Sequence, residues 1–152
     1  MLRQFLVGAA ASGCNIAIHA LVMVAVIRVT RHADELATAY QTLRLIAVMI
    51  AAVAVLMIAH LAEIMVWALT YAILGVTPEG SDLVYFAFVN YTTLGYGDVT
   101  PVKRWNLLGP MTAMNGVLLF GWSTAVIFAV LRSMMKANQT GEGMREKGAP
   151  SE

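Results

Sequence analysis

Four apolar stretches run along the chain, and charged residues mark their ends. Phe5 to Val29 lies between Arg3 and the pair Arg28 and Arg31. Leu45 to Val76 follows Arg44 and stops before Thr77-Pro78-Glu79-Gly80. Leu83 to Leu94 is only 12 residues long and is interrupted by Asn90, Thr92 and Thr93. Leu107 to Leu131 ends at Arg132. A helix that crosses a bilayer needs about 20 apolar residues. The first, second and fourth stretches therefore predict spans. The third is too short and predicts a re-entrant element, tolerated at membrane depth only inside protein or along a water-filled cavity. The second stretch, 32 residues long, exceeds the bilayer's need and predicts a tilted helix or an interfacial first turn near Arg44.

These boundaries divide the chain into an N-terminal span (1–30), a linker (31–43), a unit over 44–132 and a tail (133–152). Within the unit the pattern predicts a helix over 44–76, a short helix over 82–91, a loop over 93–98 and a last helix over 106–132. Ser81 is a natural N-cap for the short helix, and Asp82 suits its first turn. The tail, rich in Gly, Lys and Glu, is expected to fray. Met1 to Gln4 with Ala11-Ser12-Gly13-Cys14 faintly suggests a cleaved leader, but the apolar run continues well past Cys14, which predicts a retained helix.

Composition agrees with the pattern. Of 152 residues, 59% are hydrophobic and 12% charged, with mean hydropathy +0.72; soluble domains are about one quarter charged. A net charge of +1 gives no field that points to nucleic acid. Cys14 stands alone, which excludes an intrachain disulfide and a cysteine zinc cluster. The expected fold class is an all-α membrane protein.

The short stretch ends in Thr92-Thr93-Leu94-Gly95-Tyr96-Gly97-Asp98. This resembles the selectivity filter of potassium channels, Thr-Val/Ile-Gly-Tyr/Phe-Gly-Asp. The resemblance covers about Val55 to Arg132 and includes the order span, short helix, filter, span. It implies a homotetrameric pore in which four loops replace the water shell of a permeant potassium ion with backbone carbonyls. Thr93, Leu94, Gly95, Tyr96 and Gly97 would supply those carbonyls, with the Thr93 hydroxyl at the inner end. Aiming successive carbonyls inward demands backbone angles that include φ > 0, which Gly95 and Gly97 adopt without a Cβ penalty. Leu94 and Tyr96 would turn away from the axis, with Tyr96 against the short helix, whose C-terminal end would favour a cation in the cavity. Asp98 would stand at the outer mouth.

Two departures matter. Leu94 stands where the family has Val or Ile, which leaves the carbonyl unchanged but alters packing behind it. Val89 stands where some members carry a Glu, so Asp98 needs another partner. Tyr85, about two helical turns above Thr93, is the expected donor. The last span is expected to line a cavity and its inner neck with Val117, Phe120, Thr124, Phe128 and Leu131. Gly116, 19 residues after Gly97, has two readings, a hinge or close helix packing. Phe128 is placed for a hydrophobic constriction.

The resemblance puts the filter outside, hence the N-terminus outside and the C-terminus in the cytoplasm. Arg and Lys side with this, seven inside (Arg28, Arg31, Arg44, Arg132, Lys136, Arg145, Lys147) against three outside (Arg3, Lys103, Arg104). The expected place is a cell (inner) membrane, crossed several times. The first span lacks the repeated Arg of a voltage sensor. The 20 residues after Arg132 are too few for a soluble regulatory domain. His19, His60 and Glu63 read as isolated polar residues within spans, with no metal-ligand spacing. His60 and Glu63 share one helix face and suggest a local pair or a proton-sensitive latch between the first two spans. No nucleophile–base pair or phosphate loop suggests an enzyme, and no cofactor is expected beyond the permeant ion. The alternatives are a weakly selective cation pore and a non-conducting subunit that modulates another channel.

Overall fold

The computed structural model describes the backbone of residues 1–34 and 41–147, and side chains over 1–30 and 42–136. Its elements are α1 (Leu2–Asp34), α2 (Gln41–Leu74), α3 (Leu83–Tyr91), a single 3-10 turn (Lys103–Trp105) and α4 (Leu108–Lys147). Three helical segments are long and apolar enough to cross a membrane: Leu2–Thr30, Thr42–Leu74 and Lys103–Lys136. The chain is an all-α membrane protein. The re-entrant stretch forms the nine-residue helix α3, followed by an irregular loop over 92–102.

Local chemistry sets the ends of these elements. α2 stops at Leu74 because Gly75 takes φ 57°, and Val76 N–H reaches back to Tyr71 O at 3.1 Å, a left-handed helix ending. α3 is capped by Asp82, not Ser81: Asp82 Oδ1 accepts from Val84 N and Tyr85 N at 3.0 Å each. The Ser81 hydroxyl instead donates to Pro78 O at 2.8 Å and closes the preceding turn. A carboxylate at the cap also meets the positive end of the helix.

α4 departs from the expected end at 132 and continues to Lys147. Met134, fully buried among Met23, Val26, Ala52, Leu56, Val126 and Val130, carries the packed face of α4 past Arg132. Helix α1 likewise runs on through Asp34, and the rest of the expected linker up to residue 40 lies outside the described residues.

Helix α1 packs on α2 and α4 of its own chain, and α3 sits between α2 and α4. Gln4 Oε1 accepts from Leu107 N at 2.9 Å, so α1 satisfies a backbone donor at the start of α4. Arg3 lies over the Trp105 ring at 5.1 Å, and Trp105 Nε1 donates to Leu74 O at 3.1 Å.

The core has two apolar clusters. One gathers Trp67, Tyr71, Phe86, Tyr91, Trp105 and Leu108 around α3. The other holds Met23, Leu56, Val126 and Met134 at the opposite end of the three long helices. In sequence, His19, His60, Glu63 and Ser123 fall at the boundary between the two, and all four are buried.

Candidate functional site

The loop after α3 begins where that helix runs out of internal donors. Thr92 N–H donates to Phe88 O at 3.0 Å, Thr93 N–H to Asn90 O at 3.0 Å and Leu94 N–H to Val89 O at 2.9 Å. Gly95 N–H reaches the same Val89 oxygen at 3.4 Å. The Thr92 hydroxyl donates to Phe88 O at 2.8 Å. The last carbonyls of α3 are thus tied to the first amides of the loop.

From there the backbone alternates. Thr93 has φ 62°, Gly95 φ 62° and Gly97 φ 81°, while Leu94 and Tyr96 keep negative φ. Thr93 is the one non-glycine residue with positive φ among the described residues. Its left-handed backbone has no side-chain signature in the sequence, whereas the two glycines announce theirs. Positive and negative φ thus alternate from Thr93 to Gly97, which an extended strand does not show.

Leu94 is 54% exposed and Tyr96 68% exposed. Both side chains thus stand open in the single chain. Asp98 has the partner expected from the sequence: the Tyr85 hydroxyl donates to Asp98 Oδ2 at 2.8 Å. That bond is the first cause of an upward shift in the Tyr85 phenol. The donor form therefore persists beyond the ordinary tyrosine value of about 10, and the bond is lost only as pH rises through the raised value.

Helix α4 shows two faces. Val117, Phe120, Thr124 and Phe128 lie on an exposed face, with Phe128 64% exposed. Gly116 is buried on the other side, where a Cβ would stand 2.0 Å from Tyr91 O. Close approach of α4 to the end of α3 thus depends on Gly116.

The three polar residues that read as isolated converge. His19 Nδ1 lies 2.7 Å from Glu63 Oε1, and His60 Nδ1 lies 3.0 Å from Glu63 Oε2. The Tyr91 hydroxyl donates to Glu63 Oε2 and stands 2.9 Å from His60 Nδ1. Ser123 Oγ is 2.9 Å from His60 Nε2 and 3.3 Å from His19 Nε2. Beside them Asn15 Nδ2 donates to Glu63 O at 3.1 Å and Asn115 Oδ1 at 3.0 Å, and Trp67 Nε1 donates to the same Asn115 oxygen at 3.0 Å. All four helices contribute to this cluster. The reading of His19, His60 and Glu63 as isolated, without ligand spacing, is corrected: the donor atoms of these three lie within 4.8 Å of one another. Only His60 and Glu63, three apart in α2, were open to detection along the sequence. His19 and Ser123 come from helices whose register the sequence does not fix.

No curated protein and no solved structure matches the chain. Residues 59–133 match a protein family described as ion channel. The matched segment holds the second half of α2, all of α3, the alternating loop and α4 as far as Ser133. A span, a short helix, a loop of alternating φ and a second span are the parts a pore loop requires, and over this segment, just under half of its length, the chain is similar to a pore-loop family of ion channels.

Proposed function

We propose that the chain is the subunit of a potassium-selective channel, and that four copies surround one pore. The observation that carries this reading is the alternation of φ at Thr93, Gly95 and Gly97 within Thr-Leu-Gly-Tyr-Gly-Asp. Carbonyls of Thr93, Leu94, Gly95, Tyr96 and Gly97, with the Thr93 hydroxyl, replace the water around a dehydrated potassium ion. One chain supplies only one wall of such a cage. The exposure of Leu94, Tyr96 and the Phe120–Thr124–Phe128 face suits surfaces that neighbouring subunits and a central cavity cover. No cofactor and no catalytic step belongs to this reading.

In this assembly the loop faces outside, the N-terminus lies outside and the α1–α2 connection and the C-terminus lie in the cytoplasm, following the bias of Arg and Lys. Helix α4 lines the cavity with Phe120 and Thr124 and narrows it at Phe128. Purified protein in potassium-loaded vesicles tests the reading. Potassium flux without any second protein is expected, with reversal potentials that favour potassium over sodium. Absence of flux would point to a modulatory subunit. A reversal potential near zero under bi-ionic conditions would leave a weakly selective pore, with Leu94 as the residue to change to Val.

Two further outcomes follow from the same geometry. Four Phe128 rings exclude water from a narrow neck, so Phe128→Ala is expected to raise basal open probability severalfold in single-channel recordings. Unchanged open probability would assign Phe128 to packing. Tyr85→Phe deletes the donor to Asp98 but no coordinating oxygen. It is expected to keep potassium selectivity near that of the parent and to hasten loss of conduction when potassium is withdrawn. Equal survival of the two proteins in low potassium would remove Tyr85 from the support of the loop.

A further inference from the structure

We propose that His19, His60 and Glu63, completed by the Tyr91 hydroxyl, form a binding site for one zinc-like divalent cation that clamps α1 to the pore unit. Imidazole and carboxylate together suit zinc, and their ligand atoms are already within 4.8 Å of one another. Zinc bonds of 2.0–2.2 Å in tetrahedral geometry place ligand atoms about 3.3–3.5 Å apart. The observed His–Glu contacts of 2.7 Å and 3.0 Å therefore open by about 0.3–0.8 Å, and the shorter Tyr91–Glu63 contact opens further.

A second observation points to a ligand. Both Nδ1 atoms face the Glu63 carboxylate, and both Nε2 atoms face the single Ser123 hydroxyl. A neutral imidazole has one N–H, and a serine hydroxyl has one hydrogen and two lone pairs. With both N–H groups on the Nδ1 side, two Nε2 lone pairs compete for one Ser123 hydrogen, and one contact is left acceptor against acceptor. A proton on one imidazole, paired with the Glu63 carboxylate, removes the mismatch, and so does a cation on the Nδ1 side, which is the case proposed. Each imidazole then carries its hydrogen on Nε2 and donates it to one lone pair of Ser123 Oγ. A metal-bound histidine is held in this way by an acceptor on its other nitrogen. Asn15 supports the same corner from outside, through Glu63 O and Asn115.

The site joins separate elements. His19 belongs to α1, His60 and Glu63 to α2, Tyr91 to α3, and the supporting Ser123 to α4. α1 lies outside the segment shared with the ion-channel family, so the cation ties the added helix to the shared unit. The Phe120 ring, on the exposed face of α4, lies 4.5 Å from the His60 ring and marks the approach from that side.

The test uses tag-free, full-length protein in lipid nanodiscs, stripped with a chelator and dialysed against micromolar zinc chloride. One zinc per chain is expected, with a higher melting temperature than the stripped form. Cobalt chloride in place of zinc is expected to give the visible bands of a four-coordinate centre. His19→Gln should abolish stoichiometric binding, and Ser123→Ala should weaken it roughly 10- to 100-fold. Stripped wild-type protein that stays folded, by its melting transition, yet takes up no zinc would overturn the site. So would equal binding by wild type and His19→Gln. The readout is bound metal, so it is independent of whether the chain conducts potassium.

Discussion

Gly97→Ala and Gly95→Ala are each expected to abolish potassium-selective flux. The reason is the backbone, not crowding. A Cβ built on Gly97 meets nothing within 4 Å, and one on Gly95 comes no closer than 3.9 Å to Thr93 O. The φ values are the obstacle, at 81° and 62°. An L-residue held there costs about 1–2 kcal/mol. In the proposed tetramer four copies together cost about 4–8 kcal/mol, and the loop relieves this by turning its carbonyls out of line. Gly80 supplies a matched control, because it also has φ 81° with open space around it and lies outside the loop. Gly80→Ala carries the same local strain and is expected to keep selectivity. Reversal potentials for the three variants in vesicles decide the matter. Parent-like selectivity in both Gly95→Ala and Gly97→Ala would remove the loop from the conduction path. Loss of selectivity in Gly80→Ala would show that general instability, not carbonyl geometry, explains the effect.

What the sequence disclosed follows from where its signals are local. Spans are visible because each is a continuous apolar run ended by charge. The alternating loop was visible through its glycines, whose missing Cβ is a direct report on φ. Thr93 was not, because its left-handed φ of 62° is imposed by amides that bond back to α3, and no residue type records that. The Tyr85–Asp98 bond was legible because helical rise fixes the height of Tyr85 above Thr93. The cap expected at Ser81 falls instead to Asp82, its expected first-turn neighbour, because Pro78 O takes the Ser81 hydroxyl. The His19–His60–Glu63–Ser123 cluster is a matter of helix register between α1, α2 and α4. Hydropathy fixes that a helix crosses the bilayer, but not which of its faces meets which neighbour.

Gly116 is the position where that register has the largest energetic consequence. The sequence left a hinge and close packing both open. In the structure its Cβ would sit 2.0 Å from Tyr91 O, 3.0 Å from Tyr91 C and 3.3 Å from Tyr91 Cδ1. The first two are backbone atoms at the C-terminal end of α3, so no side-chain rotation relieves the clash. Either α4 moves away from α3 or the end of α3 deforms, and α3 is the support of the loop. Overpacking of this kind costs about 1–3 kcal/mol, occasionally more. Alanine in place of glycine within a helix recovers about 1 kcal/mol, which does not offset a contact that close to backbone. Gly116→Ala is therefore expected to lower the melting temperature of the purified protein by several degrees and to reduce potassium flux. Gly121→Ala makes the contrast: nothing lies within 4 Å of its Cβ in the chain, and its melting temperature is expected to hold or rise. A hinge predicts another pattern. If Gly116 served only to let α4 bend, alanine would stiffen the helix, keep or raise the melting temperature and lower open probability. Melting and single-channel recording on the same Gly116→Ala preparation separate the two roles, and a parent-like melting transition would refute the packing role.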